Sequence, residues 1–396
     1  MANNNNTKNL NVPNLRFPEF KGEWEKCKLE ECVVFLDGKR KPIKSSERVS
    51  EQKLYPYYGA SGIIDYIDDY LFDGKFILLS EDGANILDRN YRVAFIAEGK
   101  IWVNNHAHVL QSNDNIDINF IAEKLESLDY SIYNTGTTMP KLNQEVCRNI
   151  PLWLPPTEEQ VKIGTLLSLL NERITTQSKI IEDLKLLKKT MSQNIFSLKI
   201  RFKDEEGNVF SSWKLRKLSD VLIIQGGYAF KSSLFNQGTN KVIRIGDILP
   251  IIKLSNFSGI YSSETPNEKY IVRKNDFVMA LSGATFGKVG KIEDKGIAYI
   301  NQRVATFRTK QCLEFFYQLV QINNFKNYIS SIPTASAQPN ISNDDIGNYK
   351  SYIPDVIEQT KIAGFLSTID KKIETERAIL DAYAKQKQYL LANLLI

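Results

Sequence analysis

The chain has 396 residues, 42% of them hydrophobic and 24% charged, enough to bury real cores in two or three domains. Its net charge of +5 and pI near 8.7 are compatible with a polyanionic partner and do not establish one. No window approaches the ~18 continuous apolar residues of a membrane span, and Cys27, Cys32, Cys147 and Cys312 form no Cys-x-x-Cys pair, so neither a zinc site nor a disulfide framework is indicated. A soluble, cytoplasmic protein with reduced thiols and no membrane contact is expected.

Residues 1–14 open with an Asn-rich run that has no apolar signal core and reads as a disordered tail. Residues 15–154 form a first globe. It enters through Arg16-Phe17 and Trp24, with Leu29 five residues after the Trp. Short strand-like runs follow. Tyr57–Tyr66 precedes a turn at Asp73-Gly74, Phe76–Ser80 is a buried strand, and Glu81–Asn85 is a loop. Val93–Ala97 and Ile101–Val103 flank Glu98-Gly99-Lys100 as a hairpin, and Phe120–Leu128 reads as a helix.

Residues 155–197 form a long helix opened by Pro155-Pro156-Thr157-Glu158-Glu159-Gln160-Val161-Lys162-Ile163. Its apolar positions Ile163, Leu167, Leu170, Ile174, Ile181, Leu184, Met191 and Ile195 step by four and three, a heptad seam interrupted at Gln177 and Lys188. Such a helix is about 60 Å long at ~1.5 Å per residue.

Residues 198–353 repeat the globe. Arg201-Phe202, Trp213 and Leu218 restate the entrance, Phe277–Gly283 the strand and loop, Ala298–Arg303 the run through His106, and Leu313–Phe325 the helix. A proline loop precedes each long helix, at Thr138–Leu142 and at Ala337–Ile341. Residues 354–396 then repeat the long helix from Pro354 at a constant offset of 199. Its seam is Ile362, Leu366, Ile369, Ile373, Leu380, Tyr383, Leu390 and Leu394, broken at Glu376 and Lys387, the places that match Gln177 and Lys188. Coincident breaks point to duplication of one unit.

The fold class is therefore α+β: two similar mixed α/β globes separated by two long antiparallel helices in a coiled-coil spacer, with internal pseudo-two-fold symmetry. Gln177 and Glu376 either meet near that axis and fix the register or reach solvent.

Catalytic constellations are sparse. Gly283–Val289 has only three residues between its glycines and no Ser or Thr after Lys288, so it is not a phosphate loop. There is no Gly-x-Gly-x-x-Gly and no adenine-methyltransferase Pro-Pro motif. Glu98-Gly99-Lys100 and Glu293-Asp294-Lys295, with Asp88 and Asp276 upstream, could hold Mg²⁺ in a nuclease, but both fall where hairpin turns are expected. His106 and His108 would share a strand face without a third metal ligand, which favours a hydrogen-bonding role.

What remains suits nucleic acid. Lys39, Arg40 and Lys41 place three cations on one loop, fit for phosphates. Asn85, Arg89, Asn104, Asn105 and His106, with Tyr58, Ser61 and Lys141, supply contact groups in the first globe. Tyr228, Lys231, Arg244, Thr285, Lys288, Asn301, Gln302, Arg303 and Asn340 do so in the second. Asn and Gln pair with adenine edges, and Arg or Lys with guanine.

The duplicated Pro-x-x-x-Glu-Gln-x-Lys-Ile entrance, and the run from Tyr58–Asp65 through Glu81–Asn85 to Val103–His106, resemble the specificity subunits of type I restriction-modification enzymes over nearly the whole chain. The resemblance implies a non-catalytic chain with two target recognition domains, each reading half of a split site in double-stranded DNA. It also implies a helical spacer that fixes the unread gap. The partners it implies are two methyltransferase subunits, which use S-adenosylmethionine, and restriction/translocase subunits, which use ATP and Mg²⁺; this chain itself binds no cofactor. Two different globes imply an asymmetric target. A protein-binding coiled-coil adaptor, or a lone metal-dependent nuclease, are the rival readings.

Overall fold

A computed structural model describes residues 11–48, 52–333 and 340–396. The chain divides into two compact units, residues 1–179 with 377–396, and residues 180–376. The cut passes through both long helices, so each unit holds one globe and half of each helix.

In the first unit, strands β1 (Glu25–Lys28), β2 (Val33–Phe35), β3 (Tyr55–Gly59), β4 (Gly62–Ile67), β5 (Phe72–Ser80), β6 (Ala94–Val103), β7 (Ala107–Ser112) and β8 (Pro151–Leu154) are joined by helix α1 (Ile118–Ser127). Six of the strands form one sheet in the order β2-β7-β5-β6-β3-β4, antiparallel except where β3 runs parallel to β6, and β1 pairs with β8 in a separate ribbon. Asp117 caps α1 by accepting from Phe120 N, which is why the helix starts two residues ahead of its apolar run. Helix α2 (Thr157–Phe196) follows β8 directly.

Two turn signals do not end their strands. Asp73-Gly74 and Glu98-Gly99-Lys100 both lie inside strands, facing each other across the β5–β6 pairing with Gly74 opposite Gly99. Both glycines have left-handed φ (+142° and +87°), so the ladder bends here without ending. The true hairpin is β3–β4, turning at Ala60-Ser61.

The second unit contains β9 (Lys214–Lys217), β10 (Ile223–Gly226), β11 (Phe235–Ile243), β12 (Ile251–Ile252), β13 (Ile260–Ser262), β14 (Ile271–Arg273), β15 (Phe277–Ala280), β16 (Val289–Ile292), β17 (Ile297–Ile300), β18 (Val304–Arg308) and β19 (Lys350–Ile353). They form sheets β10-β18-β15-β16-β12 and β13-β11-β17-β14, with ribbon β9–β19. The plan matches the first unit, since β11 runs parallel to β17 as β3 does to β6. Where β6 bends at Gly99, its counterpart breaks into β16 and β17 at Glu293–Gly296, with Gly296 at φ +136°. Here the break is complete, and Asp294 accepts from Leu254 N and Ser255 N instead of continuing the ladder. The expected helix Leu313–Phe325 is two helices, α3 (Leu313–Leu319) and α4 (Asn323–Ser331), separated at Val320–Ile322. Helix α5 (Val356–Leu394) closes the chain.

In each unit the two long helices run antiparallel. Ile163 and Leu167 share a core with Leu390 and Leu394 in the first, and Ile195 shares one with Ile362 and Leu366 in the second. Every seam residue is buried or half-buried: Leu170, Ile181, Ile369 and Ile373 are buried, and Ile174, Leu184, Leu380 and Tyr383 half-buried. Gln177 and Glu376 are 7% and 6% exposed, so neither simply reaches solvent. Glu376 pairs with Lys372 at 2.5 Å.

The repeated letters of the helix entrance each have a structural task. Arg16 clamps Glu159 with two bonds of 2.8 and 2.7 Å, and Arg201 clamps Glu358 with 3.0 and 3.1 Å. Gln160 donates to Pro155 O and accepts from Asp117 N at the start of α1; Gln359 donates to Pro354 O and accepts from Cys312 N at the start of α3. Lys162 lies over Phe17 and pairs with Glu19, while Lys361 lies over Phe210 and donates to Lys203 O. Charge-assisted bonds at buried carboxylates are among the stronger polar contacts. The motif is a joint between entrance segment, globe and helix.

The polar breaks Lys188 and Lys387 are joints too. In the first unit Glu123 on α1 accepts from Asn171 on α2 at 2.8 Å and pairs with Lys387 on α5 at 3.1 Å. In the second, Gln318 on α3 donates to Asp370 on α5 at 2.9 Å, and Asp370 pairs with Lys188 on α2 at 2.7 Å. Asn171 and Asp370 are 199 apart, as are Lys188 and Lys387. Acid and amide have changed places while the junction is kept.

Part of the expected tail is packed: Trp24 N donates to Asn11 O, and Leu15 N to Asn393 O. Residues 1–10 lie outside the described residues, as does Ala337-Gln338-Pro339 of the second proline loop. Cys27 and Cys32, unremarkable by spacing, bring their sulfurs to 3.3 Å as hydrogen-bonded thiols.

Candidate nucleic-acid interface

In the first unit four loops converge at one end of the sheet. Asn104 N donates to Tyr58 O, Glu81 N to His106 O, Leu142 N to Glu81 O and Gly83 N to Pro140 O. In the second unit Asn301 N donates to Ile243 O, Leu281 N to Arg303 O and Ile341 N to Leu281 O. Asp82 bridges Lys141 as Ser282 bridges Asn340. Backbone bonds thus make Asn104-Asn105-His106 equivalent to Asn301-Gln302-Arg303, and Lys141 equivalent to Asn340.

The candidates divide by what their side chains already do. Lys39, Lys41, Ser61, Asn105, Lys231, Lys288 and Gln302 are exposed, and among the described residues no side-chain hydrogen bond or ion pair engages them. His106 is exposed and its Nδ1 donates to the Asp82 carboxylate at 2.8 Å; Lys141 pairs with Glu81 at 3.5 Å; Arg303 donates to Asn340 at 2.9 Å. These stand at the loop tips with exchangeable partners.

Others serve the scaffold. Arg40 turns inward from its loop: its side chain is only 13% exposed, donating to Glu81 and Ala107 O at 2.7 Å each. Arg89 donates to Glu126 and lies over Tyr130, and Asn85 closes its loop through Tyr91. Asn104 is buried and accepts from His106 N. Asn301 accepts from Gln302 N, and Arg244 pairs with Asp247 at 3.4 Å. Tyr58 is half-buried against Phe95, Tyr228 donates to Glu264, and the Thr285 hydroxyl is buried.

Beneath the first cluster lies a network of which the sequence singles out Arg40 and His108, the latter in the hydrogen-bonding role it takes, but not the acids Asp37 and Glu81. His108 is buried, with Nδ1 2.6 Å from Asp37 and Nε2 2.8 Å from Leu142 O. Both ring nitrogens face acceptors, so the ring satisfies both only as imidazolium. Burial opposes that charge, but Asp37 and Cys147, through hydrogen bonding and charge together, outweigh it and lift His108 to about 10. Burial likewise pushes the Asp37 carboxyl up, and His108, the Val109 N–H and Arg40 outweigh it and hold it below its ordinary value. Asp37, Glu81 and His108 are metal-ligand types within reach of one another. Arg40 sits between the two carboxylates, so guanidinium and imidazolium already balance them.

His106 and His108 do not share a ligand face: His106 precedes β7 and turns to Asp82, while His108 turns inward. Among the described residues, no metal-ligand group includes Glu98 or Glu293, which flank the sheet bend in each unit.

A family model described as the type I restriction modification DNA specificity domain matches the chain twice, over residues 21–186 and 211–382. The chain is 28% identical to the type I restriction enzyme MjaVIII specificity subunit of Methanocaldococcus jannaschii, covering 96% of this chain and 93% of that one. It is also 28% identical to a putative type I restriction enzyme specificity subunit of Haemophilus influenzae, over 93% of each. Among solved structures, the S subunit of a type I restriction-modification system from M. genitalium shares the fold, with TM-score 0.68 and 16% identity over 97% of this chain and 99% of that one. With two matched domains, two equivalent loop clusters and a duplicated helical joint, the chain belongs to the type I restriction-modification DNA specificity family, as a non-catalytic specificity subunit with two recognition domains.

Proposed function

We propose that the two loop clusters each read one half of a split, asymmetric duplex target, the first through Lys39, Lys41, Ser61, Asn105, His106 and Lys141, the second through Lys231, Lys288, Gln302, Arg303 and Asn340. One observation carries this reading: positions made equivalent by backbone bonding carry different base-reading groups, Asn105 against Gln302 and His106 against Arg303. The same backbone frame with different side chains reads different bases.

Residues 15–154 and 198–353 act as the recognition domains, and 155–197 with 354–396 as the spacer. Exposed apolar residues on α2, Leu169 (53%) and Leu187 (48%), suit docking of methyltransferase subunits. Those subunits bring S-adenosylmethionine for adenine methylation; restriction/translocase subunits bring ATP and Mg²⁺ chemistry. The test is a map of methylated adenines in cells expressing this chain with its cognate methyltransferase subunit, against cells lacking the chain. A split motif that changes in one half when residues 24–154 are exchanged supports the reading. A motif indifferent to this chain overturns it and favours an adaptor.

A further inference from the structure

The duplication provides an internal control: a feature the scaffold needs recurs 199 residues on, and a feature present once serves something else. One such feature is a cationic cleft in the second unit, between the later half of α2 and the start of α4. It has a volume of about 480 Å³ and is lined by Lys185, Lys188, Lys189 and Lys326, with Gln193 and Asn323 among its polar neighbours. Among the described residues no carboxylate lines it. Lys188 is the joint residue held by Asp370 and has its counterpart in Lys387. The other two lysines of α2 have none, for the positions 199 further on are Ala384 and Gln388. Lys185, Lys189 and Lys326 are exposed, and among the described residues none has an ion-pair partner. Three unpaired cations beside a fourth repel one another, a cost the first unit avoids.

We propose that this cleft takes phosphate groups of the DNA backbone, as a sequence-blind contact beside the second reading face. The inference rests on the reading of the chain as a DNA specificity subunit. Position supports it. Helix α4 begins at the cleft, and its Ile329 lies against Gly287 in the loop that carries Lys288. From Asn323 to Ile329 the helix rises ~9 Å at ~1.5 Å per residue, about three phosphates at the ~3.4 Å axial spacing of one strand. A strand touching Lys288 therefore reaches the cleft within a few nucleotides. Asymmetry supports it too. Identical protein partners on a duplicated scaffold call for the same contact twice, whereas two different half-sites allow a contact made once.

The test uses the full chain assembled with its methyltransferase subunits. Lys185→Gln, Lys189→Gln and Lys326→Gln are combined, and Lys188 is left in place. Binding to cognate and unrelated duplexes is measured across salt. The expected result is a log–log salt slope shallower by about 2–3, at ~0.9 per phosphate contact. Affinity falls by the same factor for both duplexes, the methylated motif is unchanged, and Lys→Arg at the three sites restores the slope. An unchanged slope in an intact complex overturns the proposal. So does loss of assembly with the slope per bound complex preserved, which assigns the cleft to an acidic protein segment. The methylated motif separates this failure from failure of the underlying reading. A wild-type complex that directs no bipartite motif refutes the reading itself, whatever the slopes show.

Discussion

Glu123 is 3% exposed and ties α1 to both long helices through Asn171 and Lys387, with Arg92 as a third partner. Burial opposes its ionisation, and Arg92 and Lys387 outweigh that opposition and hold its pKa below the ordinary value. Glu123→Gln removes the charge and leaves the Lys387 ammonium, 15% exposed, without its counter-ion. Breaking a buried pair from one side costs ~3–5 kcal/mol; the partial exposure of Lys387 and Arg92 places this case near ~3 kcal/mol. At ~2–4 °C per kcal/mol for a unit of this size, the first unit melts ~6–12 °C lower. Asn171→Asp alone sets a second carboxylate against the first and costs about 1–2 kcal/mol. The double variant Glu123→Gln/Asn171→Asp installs the arrangement of the second unit, where amide Gln318 faces acid Asp370 beside Lys188. It is expected to recover to within ~1 kcal/mol of wild type, the residue being Arg92, whose 33% exposure lets water replace Glu123. Calorimetric melts of the four proteins close the cycle. A double variant no better than the sum of its singles would refute the equivalence of the two junctions.

Arg16→Ala should destabilise more than Arg201→Ala, by ~1–2 kcal/mol, because Glu358 keeps a bond from Trp213 Nε1 at 2.8 Å and, among the described residues, Glu159 has no such donor; paired urea titrations check this. His108 has a raised pKa, so its contribution is fully present below its unfolded value of ~6.5 and is lost as pH climbs to about 10. His108→Gln should therefore melt well below wild type at pH 6.5 and converge on it by pH 10; a gap that stays constant over that range refutes the imidazolium assignment. Arg40→Ala should lower the melting temperature of the first unit, while Lys39→Ala with Lys41→Ala leaves it unchanged and weakens binding to all duplexes alike, as read by melting and by filter binding.

Duplication was legible because its signal is periodic and local. The seam from Ile163 to Ile195, with breaks at Gln177 and Lys188, needs only the helical period to be read, and each apolar member is buried or half-buried. The tasks of Glu159 and Gln160 were illegible, since their partners Arg16 and Asp117 lie 143 and 43 residues away. Glycine misled in two places for one reason: Gly74 and Gly99 carry the signal of a turn, and only their mutual pairing across β5 and β6 shows that the ladder bends and continues. At the interface, residue type alone could not separate Arg40, folded inward onto Glu81, from Lys39 and Lys41 on the same loop. That division is made by the half-buried carboxylates Asp37 and Glu81.

The letters repeated between the halves hold globe to helix, and the letters that differ stand at loop tips held by backbone bonds. Loop-tip residues can then change without redirecting the chain. The sharpest consequence concerns Asn105 and His106, which take the place of Gln302 and Arg303. Asn105 is exposed with no side-chain partner among the described residues, and Asp82, 2.8 Å from His106 Nδ1, accepts as well from a guanidinium. Asn105→Gln with His106→Arg should therefore leave the melting of the first unit within ~0.5 kcal/mol, the usual range for exposed positions. The first half of the methylated motif should shift at one or two bases, each worth ~1–3 kcal/mol of discrimination, while the second half stays as it was. An unaltered motif with a folded protein would place base reading elsewhere on the first unit. A collapsed fold would show that these tips belong to the scaffold after all.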